Sequence, residues 1–256
     1  MKIRELHETK KERNLLGLKF FDMRTDTMDE RVITKSTPDE KWDGDLDVSL
    51  NSLVSLRYSP KEVAGSFNCS NNKLTSLEFG PQQVGGDYRC HENRTLTSLK
   101  GAPAVMSSKD GVIFECSDTP MLTSLEGAPS RCAILSCNRS GIKSLEGAPR
   151  WTDEIRVNST RITSFHDVHR MIAATAVIRC ANVKIEECVL VLLLVKGLIS
   201  LDVGNSRSAV ALKRTEDFIA VADIINRYLP NVDGRSTVLT CQNELLDAGF
   251  EEFARM

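Results

Sequence analysis

Four things are scarce or missing in this chain, and each absence removes a class of protein. Net charge is nearly nil, with 33 Lys and Arg against 35 Asp and Glu in 256 residues, a formal −2. Nucleic-acid and membrane-surface binders draw much of their affinity from a basic excess, so the balance argues against both and points to a protein partner. Long apolar runs are missing: the longest, Val189 to Val195, has seven residues, where a bilayer span needs roughly 20. The opening MKIRELHETKKERN has no apolar h-region, so no secretory signal is expected and a cytoplasmic location is. Paired C-x-x-C spacing, phosphate loops and nucleophile motifs are missing too, so neither a metal, a cofactor nor an enzymatic centre is expected.

Cysteine, by contrast, is plentiful. Eight are present, and without export a disulfide framework is the weakest reading. Their spacing exposes an internal repeat. FNCSNNKLTSLEFGP (Phe67 to Pro81), YRCHENRTLTSLKGAP (Tyr88 to Pro103), FECSDTPMLTSLEGAP (Phe114 to Pro129) and LSCNRSGIKSLEGAP (Leu135 to Pro149) align apart from one-residue insertions. LDVSLNSLVSLRYSP (Leu46 to Pro60) precedes them and IRVNSTRITSF (Ile155 to Phe165) follows. Each unit runs through an apolar residue, then Cys or Val two positions on (Val48, Cys69, Cys90, Cys116, Cys137, Val157). Asn or a hydroxyl residue comes three later (Asn51, Asn72, Asn93, Thr119, Ser140, Thr160). Two further apolar positions follow, ending at Leu56, Leu77, Leu99, Leu125, Leu145 and Phe165.

The physics of that pattern is a stack. An L-x-C triplet places two apolar side chains on one face of a short strand and a polar one on the other. The Asn or Thr satisfies backbone groups of the following turn, and Gly-Ala-Pro ends the unit. Stacked units form a parallel β-sheet over a continuous core, a repeat solenoid with about nine short strands. Ile178 and Cys180, Leu201 and Val203, and Leu239 and Cys241 extend the triplet toward the carboxyl end. There the connections lengthen, and Glu186 to Lys196 and Thr215 to Tyr228 read as helices. ELLDAGFEEFARM closes the chain as a capping helix with a break at Gly249. The expected organisation is an amino-terminal cap or arm over 1–41, tight β-type coils over 42–165, and α/β coils with the cap helix over 166–256.

The spacing L-x-C-x-x-N-x-L-x-x-L resembles the leucine-rich repeat. With the wording Leu-Thr-Ser-Leu-Glu-Gly-Ala-Pro, the chain resembles the leucine-rich-repeat-like solenoid proteins encoded by tailed bacteriophages. That resemblance implies a non-enzymatic protein-protein interaction module acting in an infected host cytoplasm, where it binds and blocks or sequesters a host or viral protein. A second implied role is a virion or assembly component that uses the solenoid as a rigid spacer.

Candidate residues follow from the alignment. Cys69, Cys90, Cys116, Cys137 and Cys180 share a position with valines, and valine cannot ligate a metal. They read as buried, unreactive thiols. His166 and His169 lie one turn apart with no third ligand at a familiar distance, a solvated helix edge. The outward face of the sheet holds Asp47, Asn68, Arg89, Glu115, Ser136, Arg156 and Arg179 in one column, with His91, Asn138 and Asn158 in the next. With no aromatic stripe, this face suits a polar protein contact rather than stacked bases. Ile113 and Ile134 form an apolar spot between Arg89 and Arg156, the expected centre of such a contact.

Overall fold

The computed structural model describes residues 41–57, 59–106, 111–204 and 213–256. The cap or arm expected over 1–41 lies outside the described residues, Lys41 excepted.

Eleven short strands are described: β1 (Lys41–Trp42), β2 (Leu46–Asp47), β3 (Glu62–Val63), β4 (Phe67–Asn68), β5 (Gln83–Val84), β6 (Tyr88–Arg89), β7 (Ile113–Glu115), β8 (Ile134–Ser136), β9 (Glu154–Arg156), β10 (Val177–Arg179) and β11 (Ser200–Asp202). Eight of them, in the order β2-β4-β6-β7-β8-β9-β10-β11, form one wholly parallel sheet. Its register is the sequence alignment itself: Leu46, Phe67, Tyr88, Phe114, Leu135, Ile155, Ile178 and Leu201 occupy successive rungs. The protein is a β-solenoid, and among the described residues its helices occur only from Val168 onward.

The core is a set of inward columns. The first holds aromatic rings in the early coils, with Phe67, Tyr88 and Phe114 centroids 5.2 and 5.5 Å apart, and aliphatic side chains afterwards. Tyr88 reaches so far across the coil that its hydroxyl would lie 2.8 Å from a Cβ at Gly80, the position that Ala102, Ala128 and Ala148 fill in the next coils. The second column is the thiol column, and Cys69, Cys90, Cys116, Cys137 and Cys180 are all free and buried, as are Val48 and Val157. The Sγ atoms of Cys116 and Cys137 lie 3.0 Å apart. Burial raises the Cys69, Cys90, Cys137 and Cys180 thiols far above their ordinary range, and pushes Cys132 up to about 12.

A third column carries the polar interior. The Asn72 carboxamide oxygen accepts the amides of Asn51 and Leu53 in the preceding coil (3.0 and 2.9 Å), and its nitrogen donates to the carbonyls of Val48 and Cys69, both at 3.0 Å. Asn93 repeats the device, accepting from Leu74 and donating to Cys69 and Cys90. Thr119, Ser140 and Thr160 reach one carbonyl each, within their own coil. The residue just before this position is left-handed in seven consecutive coils: Leu50, Asn71, Glu92, Asp118, Arg139, Ser159 and Asn182 have φ of 53–57°. That conformation costs about 1–2 kcal/mol at residues other than Gly, and the turn holds because its neighbours above and below over-determine it. At the Gly-Ala-Pro corner, Gly101 is left-handed and a Cβ there would sit 2.2 Å from the Leu77 carbonyl oxygen.

A second parallel ladder was not anticipated from the repeat. β1, β3 and β5 pair in it, and isolated bridges Arg131↔Trp151 and Trp151↔Ala174 continue it along the stack. Its inward positions, Val63, Val84, Met106, Cys132, Thr152 and Thr175, are all buried. Cys132, which stands outside the main thiol column, is therefore a core residue of this second wall.

Three sequence expectations need correction at the carboxyl end. Leu239 and Cys241 are not a ninth strand of the main sheet; they lie in α3 (Arg235–Asp247). The helical spacing of Val238, Cys241 and Leu245, all buried, outweighs the local resemblance to L-x-C. Glu186 to Lys196 forms only a short 3-10 helix, Leu190–Leu194. Its residues 190–193 are buried on every side, and the β-branched Val189, Val191 and Val195 disfavour a longer helix. His166 and His169 do not share a solvated helix edge: His166 is exposed but precedes the four-residue helix α1 (Val168–Met171), and His169 lies within it, half-buried. The other helix, α2 (Lys213–Tyr228), forms as read and packs on β11 and α3. The chain breaks at Gly249 (φ 82°), after which Phe253 stacks on Phe218 at 6.4 Å.

Two measurements check this interior. Asn93→Ala strands one amide and two carbonyls in the core and should cost about 3 kcal/mol, whereas Thr119→Ala, which frees one carbonyl, should cost about 1 kcal/mol in urea melts; equal losses would contradict the cross-coil role of Asn93. Native protein should leave the thiols of the main column unreactive toward an aromatic disulfide reagent until denaturant is added; stoichiometric labelling of Cys116 or Cys137 in the native state would contradict their burial.

Candidate interaction face

The outward side of the eight-stranded sheet is built by the same period-two rule as the core. Residues flanking each buried triplet position point away from it, giving three parallel columns about 4.8 Å per rung. Asp47, Asn68, Arg89, Glu115, Ser136, Arg156, Arg179 and Asp202 pair rung by rung in the middle column. The twelve candidate residues named from the sequence stand at outward register positions of this sheet, Ser136 among them although it is buried, and the structure separates them into groups.

Polar side chains stitch coils together at two places along the sheet. Asp47 accepts the Asn68 carboxamide at 3.1 Å and caps the Ser49 amide at 2.8 Å. Asn138 accepts the Asn158 amide at 3.0 Å, and Asn158 in turn accepts the Ala181 amide at 2.7 Å, so these two belong to the scaffold of the face. Ser136 departs from its assignment as an outward contact residue. It is 3 % exposed, and its hydroxyl pairs at 3.0 Å with that of Ser117, which is buried as well.

The charged part is a network. Glu154 accepts hydrogen bonds from Nε and Nη2 of Arg156, at 2.8 and 3.1 Å, and also from Arg179, which bridges onward to Asp202. Arg89 pairs with Asp87 at 2.7 Å, and the other Asp87 oxygen accepts the Ile113 amide at 2.9 Å. His91 Nδ1 lies 3.5 Å from a Glu115 carboxylate oxygen. The hydrogen bonds from Arg156, then those from Arg179, hold the Glu154 carboxyl below the ordinary carboxylate range, and Glu154 raises both guanidinium groups in return. Ile113 and Ile134 are direct rung partners, both half-buried, with Glu154 on the next rung. The result is an apolar pair set between fixed arginines, each oriented by a carboxylate.

Asp87 and Glu154 were not singled out by sequence reasoning, although they occupy the alignment position that already pointed to Ile113 and Ile134. The signal was the column, read for apolar residues and not for their acidic equivalents. Among the described residues no group of His, Cys, Asp and Glu is arranged to hold a metal ion, and no helix is long and apolar enough to cross a membrane.

Because Glu154 has a lowered carboxyl, its contribution to stability is present above the ordinary glutamate pKa and is lost as pH falls through the folded value. Glu154→Gln should therefore cost about 1–2 kcal/mol at neutral pH, and the cost should shrink as pH falls below the ordinary glutamate range, measured by thermal melts across acid and neutral pH; a pH-independent cost would contradict the network. Comparison of the chain with known family models, characterised proteins and solved structures yields no match.

Proposed function

We propose that this solenoid is a non-catalytic protein-binding module that engages a host or viral protein through the outer face of its eight-stranded sheet. The observation that carries the reading is the Ile113–Ile134 pair flanked by arginines whose side chains are already held in place by Glu154 and Asp87. Arginines anchored before contact lose little rotamer freedom on binding, and an apolar centre with a charged rim is the usual anatomy of a protein contact. Eight strands give a face roughly 35 Å long, enough for a contact of standard size.

The repeat wording, similar to that of phage-encoded solenoids, supports a cytoplasmic role in an infected cell, with blocking or sequestration of the bound protein as the consequence. The near-neutral net charge fits a protein partner in preference to nucleic acid or membrane.

The test is affinity capture from host and infected-cell lysates with the wild-type chain and with Arg89→Glu plus Arg156→Glu. The double variant should lose its captured partner by at least about tenfold while keeping its circular dichroism and melting behaviour. Should charge reversal beside Asp87 and Glu154 lower the melting temperature, Arg89→Ala plus Arg156→Ala serves the same comparison. Undiminished capture by a folded variant overturns the sheet-face assignment, and many copies in purified particles would favour the rigid virion component instead.

A further inference from the structure

The second ladder presents a column unlike the rest of the surface. Along its outward positions run Val105, Arg131, Trp151, Ala174 and Lys196, one per coil: Arg131↔Trp151 and Trp151↔Ala174 are bridge partners. The Met106 amide donates to the Arg131 carbonyl and the Thr175 amide to the Lys196 carbonyl, fixing the outer two rungs in the same register. The preceding coils place Lys41, Glu62 and Gln83 at this position, and Lys41 is neutralised there by Glu62 at 2.7 Å. From Val105 onward the column holds no carboxylate to pair with its cations.

Trp151 is 48 % exposed and Val105 58 %. The Arg150 guanidinium lies over the indole at 5.4 Å, while the next rung, Ala174, offers only a methyl group beside the ring. The indole N–H has no acceptor among the described residues. Arg131, Arg150 and Lys196 are exposed and have no ion-pair partner among the described residues, although most arginines on the sheet face are paired. Glu154 is committed to Arg156 and Arg179, and Asp153 makes no ion pair with any of the three cations. A large aromatic ring, with three cations beside and along its column that meet no carboxylate, lacks its complement among the described residues.

We propose that this column binds a short, extended, acidic segment of a partner protein that carries an apolar side chain. The apolar group seats against Trp151 in the gap above Ala174, on the side toward Lys196. Carboxylates meet Arg131, Arg150 and Lys196, and one accepts the free indole N–H. Trp and Arg are the residues most enriched among interface anchors, and fixed positive charge steers an acidic partner toward them. Single-stranded nucleic acid fits less well, because base recognition uses successive aromatic platforms and this column has one ring. This surface lies on a different wall from the sheet face and stands whether or not that face binds a partner.

The test uses the full chain in a Trp42→Phe background, which leaves Trp151 as the sole fluorophore of the two tryptophans. The probe is a short acetylated and amidated peptide of glutamates around a central Phe-Leu pair. Trp151 emission should shift saturably, with affinity falling as salt rises. Arg131→Glu plus Arg150→Glu, and separately Trp151→Ala read by calorimetry, should each weaken binding at least about tenfold. Arg89→Glu plus Arg156→Glu on the sheet face should leave peptide affinity unchanged. The proposal is overturned by no saturation up to about 1 mM peptide, by equal binding of the same peptide with lysines for glutamates, by tighter binding of poly(U), or by full affinity in the two ladder variants.

Discussion

The structure depends on in-register stacking of parallel coils, each of which completes its hydrogen bonding only through its neighbours. No coil could stand alone. Its strand segments are two or three residues long, its inner turn is held in a left-handed conformation seven times in succession, and its buried amides and carbonyls find partners one coil away. Asn72 and Asn93 make the dependence explicit, since each carboxamide touches backbone from two coils at once. Stability in such an array is a sum of nearest-neighbour interfaces, so a residue at one of these positions acts on the coils on both sides of it.

The same register produces the surfaces. Because every coil repeats at the same height, side chains of equivalent positions stand in columns about 4.8 Å apart, close enough for ion pairs and apolar contacts between coils. On the sheet face this makes a network in which Glu154 serves two arginines from adjacent coils. On the second wall it lines up Arg131, Trp151 and Ala174 with no acidic complement among the described residues. One geometric rule thus gives a face with balanced, oriented charges and another with unmatched ones.

Much of the fold was legible in the sequence, for a physical reason. A core position that must be small and apolar in every coil accepts Cys or Val and little else, and an inner turn that must satisfy neighbouring backbone accepts Asn or a hydroxyl. Both restrictions leave a fixed spacing. The second ladder left almost none: its inward residues range from Val63 through Met106 and Cys132 to Thr175, and the segments leading to it vary in length, so no single residue type marks it. The Leu239–Cys241 pair misled because two residues cannot distinguish a period of two from one of 3.6; the longer set Val238, Cys241 and Leu245 does. Likewise the apolar column through Ile113 and Ile134 was read correctly for its position, while Asp87 and Glu154 in that column became significant only once their arginine partners were in view.

Residue-resolved hydrogen exchange tests the central claim, stacking in register, most directly. The amides of Val48, Cys69, Cys90, Cys116, Cys137, Val157 and Cys180, each donating to the next coil, should be strongly protected at the spacing of the repeat. The left-handed residues Asn71, Glu92, Asp118, Arg139 and Ser159, whose amides also donate to the next coil, should be protected with them. Protection confined to the helices, or absent at the period of the repeat, would contradict the stacked solenoid and with it both surfaces derived from its columns.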